Sequence, residues 1–121
     1  MKSNCTNSKY CPVTATLSLI GGKYKIVILW NLSQGTIRFG RLRKAIPHAT
    51  AKMLSQQLRE LEKDQLIKRK IYPVIPPKVE YSLTDFGKSI NKIMSEMYKW
   101  GYHYLAKQGI KADCDMFKAT K

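Results

Sequence analysis

Between Thr50 and Asp64 leucine recurs at a spacing that a helix can bury and a strand cannot. Leu54, Leu58 and Leu61 fall at i, i+4 and i+7, within roughly 60° of one another at about 100° per residue. The opposite side of the same helix reads Lys52, Gln56, Arg59 and Lys63, flanked by Ser55. Thr50 is the expected N-cap of this helix, over residues 51–63. Such an element must bury its leucines against neighbours and leave a basic, amide-bearing side in water.

The neighbours are legible on both sides. Pro12 suits the first position of a helix capped by Cys11 and running to Ile20, where Gly21-Gly22 breaks it. A second helix begins near Lys23, with Ile26, Leu29, Trp30 and Val27 expected inside, and ends near Gly35. Residues 36–38 are long enough only for a small edge strand. A third helix, from Phe39 to Ala45, turns Phe39, Leu42 and Ile46 inward, and Pro47-His48 ends it. After residue 63, Leu66–Tyr72 and Lys78–Leu83 read as two strands, the second alternating Val79, Tyr81 and Leu83 with Lys78, Glu80 and Ser82. Pro73 to Pro77 form a stiff connection. Thr84 caps a single long helix to about Lys107, with apolar positions from Phe86 through Ile90, Ile93, Met94 and Met97 to Leu105.

Charge narrows the partner. The 121 residues carry 22 Lys and Arg against 8 Asp and Glu, a formal net charge of +14. No acid precedes Glu60. A domain that tolerates such self-repulsion usually meets a polyanion. The longest unbroken apolar run is Ile26 to Trp30, far short of the ~20 residues that span a bilayer. The N-terminal residues lack the apolar stretch of a secretory signal. A soluble, cytoplasmic protein with no membrane partner is expected.

Short helix, tight turn, helix with a leucine inner face and two-stranded hairpin: this order describes a winged helix-turn-helix. The fold class is mainly α with a small β-hairpin (α+β). The 51–63 helix then offers its outer side to a major groove of double-stranded DNA. Gln56 can pair with adenine edges and Arg59 with guanine edges, Lys52 and Lys63 suit phosphates, and Ser55 suits either. Arg38 and the hairpin's Lys68, Arg69, Lys70 and Lys78 suit flanking phosphates or the minor groove.

From Cys11 to about Tyr104 the chain resembles the HxlR-type transcriptional regulators, relatives of the larger MarR group. The residues that carry the resemblance are Cys11-Pro12, Gly21-Gly22-Lys23-Tyr24, Ile28-Leu29, Gly35, Arg38-Phe39, Leu42, Leu54-Ser55, Leu58, Leu61-Glu62, Pro77, Val79 to Thr84, Gly87 and Trp100-Gly101. The resemblance implies a homodimeric winged-helix regulator of bacterial transcription, with N- and C-terminal helices forming the dimer and a recognition helix near 51–63. Two positions depart from the pattern. Tyr24 replaces the usual Trp, and Gln65 replaces the usual Gly after the recognition helix. In a left-handed conformation Gln65 would cost about 1–2 kcal/mol relative to Gly.

The apolar band of the last helix exceeds what one core can cover. Met94, Met97, Tyr98, Trp100, Gly101, Tyr104 and Leu105 are therefore the expected dimer interface, with packing inside one subunit as the alternative. A twofold dimer spaces two recognition helices ~34 Å apart and predicts a palindromic operator. Residues 1–10 are assigned to a flexible segment, 11–107 to the winged-helix domain with its dimerisation helix, and 108–121 to a polar tail.

Cys5, Cys11 and Cys114 form no CxxC, and with only His48 and His103 there is no zinc pattern. No cofactor is expected. Cys11 would sit at a helix N-terminus, with Lys9 nearby, where thiolate is favoured. The resemblance adds that some such regulators sense oxidants or electrophiles through a cysteine here. The reading extends to a disulfide with Cys114 of the partner subunit. The alternative is a small, partly buried apolar residue. No carboxylate pair is poised for acid–base work and no glycine loop cradles phosphate, so an enzyme is not expected. Two rival readings remain. One is a small-ligand-responsive regulator with a pocket beside Trp30, Tyr98 and Trp100; the other is a non-specific nucleic-acid binder.

Overall fold

Residues 10–113 are described in the computed structural model of the chain. The element order is α1 (Pro12–Ile20), α2 (Lys25–Leu32), β1 (Ile37–Arg38), α3 (Phe39–Ala45), α4 (Ala51–Lys63), β2 (Ile67–Tyr72), β3 (Lys78–Leu83), α5 (Asp85–Lys88) and α6 (Asn91–Lys107). The strands form one antiparallel sheet in the order β1-β3-β2. This is an α+β winged helix, as the order of motifs implied. No single described helix is long and apolar enough to cross a membrane.

Helix α4 is the centre of the core. Leu54, Leu58 and Leu61 are all but inaccessible and join Ile28, Leu29 and Leu32 of α2, Leu42 of α3, Leu66, Ile67, Tyr81 and Leu83 around the sheet, and Met94 of α6. Each such side chain contributes about 1.5–3 kcal/mol when withdrawn from water. Both ends of α4 are closed. Thr50 Oγ1 accepts from Met53 N at 3.1 Å, satisfying a backbone donor that the first turn leaves unpaired.

The other end is a Schellman turn. Leu66 N donates to Leu61 O and Gln65 N to Glu62 O, each at 3.0 Å, while Gln65 takes φ 63°. Leu61 and Leu66, the apolar pair that accompanies this motif, are both buried. The position that departs from the family's glycine is thus left-handed.

Two expectations need correction. The helix drawn from Thr84 to Lys107 is interrupted at Ser89–Ile90. Thr84 Oγ1 accepts from Gly87 N at 2.9 Å and donates to Gln65 O at 2.6 Å, pinning the first turn to the end of α4. A Cβ on Gly87 would collide with the Leu66 carbonyl, so only glycine lets this turn lie on the sheet base. The chain then tightens through Ser89 N to Phe86 O and Ile90 N to Gly87 O bonds before α6 starts. Along this segment Phe86 and Ile93 are exposed, while Met94 is sealed inside.

The second correction concerns α2, which buries Lys25, Ile28, Leu29 and Leu32 and leaves Val27 exposed. Lys25 occupies the inner stripe because a carboxylate meets it there: its Nζ lies 2.7 Å from Glu60 Oε1 on α4.

Replacing Gln65 with Gly relieves the left-handed strain at the α4 terminus. It is expected to raise unfolding free energy by about 1 kcal/mol, read as a higher urea midpoint with an unchanged slope. A lower midpoint would contradict this account of the turn.

Candidate nucleic-acid interface

With its leucines committed to the core, α4 has one orientation left for its other side. Lys52, Gln56, Arg59 and Lys63 are exposed and Ser55 is half-buried. Gln56 and Arg59 therefore lie on the surface, where a groove can reach them. Gln56 Nε2 donates to Glu60 Oε2 at 3.4 Å, one turn along the same helix.

The register of the sheet decides where the wing's cations go. Lys70 and Arg38 both pair with Glu80 on β3, from opposite sides, and Tyr72 pairs with Lys78. Directly paired residues share a face. Arg38, Lys68, Lys70, Lys78, Glu80 and Tyr72 thus share one face. Glu80 accepts the Tyr72 hydroxyl at 3.0 Å and lies 3.5 Å from Lys78 Nζ. The ammonium groups of Lys70 and Lys78 lie 5.0 and 4.5 Å from the Tyr72 ring centre. These contacts hold flexible lysines close to the strand surface.

Arg69 alternates to the other face, opposite the buried Tyr81, and its Nε lies 3.7 Å from Glu62 of α4. Burial pushes the Tyr81 phenol above its ordinary value, with Arg69 opposing the rise. Lys68 sits at the base of the wing in a polar recess with Ser82, Lys88 and Asn91. The ten expected contacts therefore do not form one patch. Lys52, Gln56, Arg59 and Lys63 share α4's outer side; Arg38, Lys70 and Lys78 share the wing face nearer its tip.

Sequence reasoning missed several residues. A cleft of about 490 Å³ opens between the start of α3 and the wing, bordered by Arg38, Arg41, Lys44 and Lys78. Arg41 and Lys44 lie opposite Phe39, Leu42 and Ile46 on α3, but entered only the charge count, because it is the meeting of α3 with the wing that brings them beside Arg38 and Lys78.

The clamp behind α4 was missed as well. Tyr24 N donates to Gln57 Oε1 at 3.2 Å, and the Tyr24 hydroxyl to His48 O at 3.1 Å. A Cβ on Gly22 would stand 2.5 Å from Gln57 Oε1. The Lys25 ammonium holds the Glu60 carboxyl below its usual 4.5, by hydrogen bond and by charge. A signal existed: Lys25 stands at i, i+3, i+4 and i+7 with Ile28, Leu29 and Leu32, a lysine written into an apolar stripe.

The remaining expected site residues divide. Met94 is 2 % exposed and belongs to its own subunit's core, which removes it from the candidate dimer surface. Met97, Trp100 and Tyr104 are exposed, and Gly101 and Leu105 are half-buried. Tyr98 stacks on Trp30 of α2 with ring centres 5.6 Å apart. Cys11 is buried at the start of α1, makes no side-chain cap and is disulfide-bonded. The expected partner, Cys114, and Cys5 both lie outside the described residues. No metal-holding cluster of His, Cys, Asp or Glu occurs among the described residues.

Comparison with known proteins places this geometry among regulators. Residues 19–109 match the family model described as HxlR-like helix-turn-helix. The chain is 49% identical over 94 residues to the HTH-type transcriptional regulator YdeP of Bacillus subtilis, covering 78% of this chain and 73% of that one. Among solved structures, the HTH-type transcriptional regulator ytcD superposes with a TM-score of 0.75 at 46% identity, covering 78% of this chain and 97% of that one. The redox regulator HypR in its oxidised form superposes at 0.74 with 45% identity, over 77% and 96%.

The two groups of cations should behave differently on DNA. Arg59→Ala is expected to cost about 1–3 kcal/mol at the base pair it reads and to relax preference there. Lys70→Ala should weaken all duplexes alike and lower the salt slope by about 1. Anisotropy titrations against varied duplexes over a salt series distinguish the two; matching profiles would remove the division.

Proposed function

Because the chain belongs to the HxlR-like helix-turn-helix family, a class of DNA-binding transcriptional regulators and not enzymes, we propose that it acts as a homodimer. In this reading the dimer recognises a palindromic operator through α4 and reports an oxidant or electrophile through Cys11. The observation that carries the DNA reading is the sidedness of α4: leucines inside, Gln56 and Arg59 exposed between Lys52 and Lys63. Base readers flanked by phosphate binders is the division of labour that sequence-specific recognition needs. Arg38, Lys70 and Lys78 extend the grip to the flanking backbone, and Arg41 and Lys44 join them across the cleft. Lys68 and Arg69 complete the basic wing.

The dimer reading rests on α6. Ile93, Met97, Trp100 and Tyr104 are all exposed, at i, i+4, i+7 and i+11, and Trp100 is 74% exposed. Its ring stacks on Tyr104 with centres 6.1 Å apart. Val13 and Leu17 add an exposed apolar pair on α1. A stripe of this kind, about 100° round the helix from the one used in the core, is suited to a second copy. We assign 11–107 to the winged-helix unit with its dimerisation helix, and 1–10 and 108–121 to the segments flanking it.

A second reading is favoured by an apolar pocket lined by Ile26, Val27, Trp30, Met94, Met97 and Tyr98. It contains two of the three aromatic residues expected beside a ligand; Trp100 is not part of it. Its volume of about 200 Å³ falls below the ≈ 300–1,000 Å³ of most ligand sites. The oxidant reading is therefore preferred, and it is supported by the likeness to HypR.

Footprinting upstream of the chain's own gene should protect two half-sites one DNA turn apart, and sedimentation at micromolar concentration should give a dimer. A monomer, or protection without symmetry, would overturn the dimeric operator reading. Protein is first reduced to open the Cys11 disulfide; treatment with diamide should then release wild type from DNA but leave Cys11→Ser bound. Equal release of both would end the role of Cys11.

A further inference from the structure

Among the described residues Lys25 is the only buried charged side chain, and neither DNA contact nor dimer formation uses it. A buried ammonium persists only where a partner compensates its lost hydration. Here that partner is Glu60, whose two oxygens are divided between two tasks. Oε1 faces Lys25 Nζ at 2.7 Å, behind the helix. Oε2 accepts from Gln56 Nε2 at 3.4 Å, on the outer side. The cation in the core is thus linked through one carboxylate to an amide on the candidate reading surface.

The link has a chemical consequence. A glutamine amide can turn over and present either end, whereas a carboxylate only accepts. The edge of Gln56 that meets Glu60 must therefore be its NH₂. This leaves Oε1 and the second N–H turned outward, the acceptor–donor pair that the N6 and N7 edge of adenine requires. Glu60 itself is not free to swing, because Lys25 holds it and the helix is tied again three residues earlier, where Gln57 Oε1 accepts from Tyr24 N.

We propose that Lys25, acting through Glu60, is a positioning residue that fixes the amide orientation of Gln56 and thereby the preference for adenine at the base pair Gln56 reads. The proposal rests on α4 being the recognition helix. It adds two residues, neither touching DNA, that set specificity and not affinity.

The test is selection from a pool of duplexes randomised across the half-site, using the full chain. Wild type, Gln56→Ala, Glu60→Gln and the double variant Lys25→Met/Glu60→Gln are compared. Gln56→Ala identifies the position that Gln56 reads by flattening its preference. Glu60→Gln should flatten the same position by roughly tenfold, because a neutral amide partner accepts either orientation. All other positions and the salt slope should match wild type.

The double variant leaves no unpaired buried charge, so it carries the test if Glu60→Gln is unfolded, and it should flatten the same position. Retained adenine preference in both variants would overturn the proposal. So would a loss spread evenly over the half-site, which marks general loosening. If Gln56→Ala leaves every preference intact, Gln56 reads no base and the proposal fails, while the recognition-helix reading fails only if Arg59→Ala is silent as well.

Discussion

The burial of Leu54, Leu58 and Leu61 against α2 and the sheet is the constraint on which the rest depends. Three leucines removed from water contribute several kcal/mol, against a total stability of about 5–15 kcal/mol for a domain of this kind. No rotation of α4 keeps them buried and also hides Gln56 and Arg59. The surface offered to a partner is therefore a by-product of core packing. The end closures refine this. Thr50 sets where the helix begins, and the left-handed Gln65 sets where it stops, so the position along the axis is fixed as firmly as the rotation.

Polar contacts behind α4 do work that leucine cannot. Dispersion and burial are non-directional, and a leucine face tolerates a few degrees of roll at little cost. The Lys25–Glu60 pair and the Tyr24–Gln57 bond have directions, and both come from the segment that opens α2. Gly22 permits the approach because a side chain there would meet Gln57. Glycine, aromatic and lysine between residues 21 and 25 are thus a docking sequence for the neighbouring helix. The same α2 carries Trp30, which stacks on Tyr98 of α6. One short helix consequently touches both the candidate reading element and the element proposed to form the dimer.

Helix α6 shows how one sequence can serve two surfaces. Met94 completes the core while Ile93, Met97, Trp100 and Tyr104 form an outer stripe. The helical period makes this assignment, since Ile93 and Met94 are turned about 100° from each other. At the start of this segment Gly87 lies against the Leu66 carbonyl, and the chain tightens through Ser89 and Ile90 before α6 begins.

Sequence by itself determined the helix-turn-helix order, the two sides of α4, the wing strands and the basic surplus, because period, cap chemistry and charge are local properties of neighbouring residues. The resemblance also marked Gln65, by its usual glycine, and the structure shows the left-handed backbone that glycine favours. Sequence did not determine that Lys25 lies inside, that Arg69 turns toward Glu62 while Lys70 turns away, that Arg41 and Lys44 border a cleft with the wing, or that Met94 is lost to the core. Those outcomes are settled by strand register and by contacts between elements far apart in the chain. Tertiary structure alone decides them, because a side chain's partner across the core is fixed by how elements meet and not by what stands beside it in the chain.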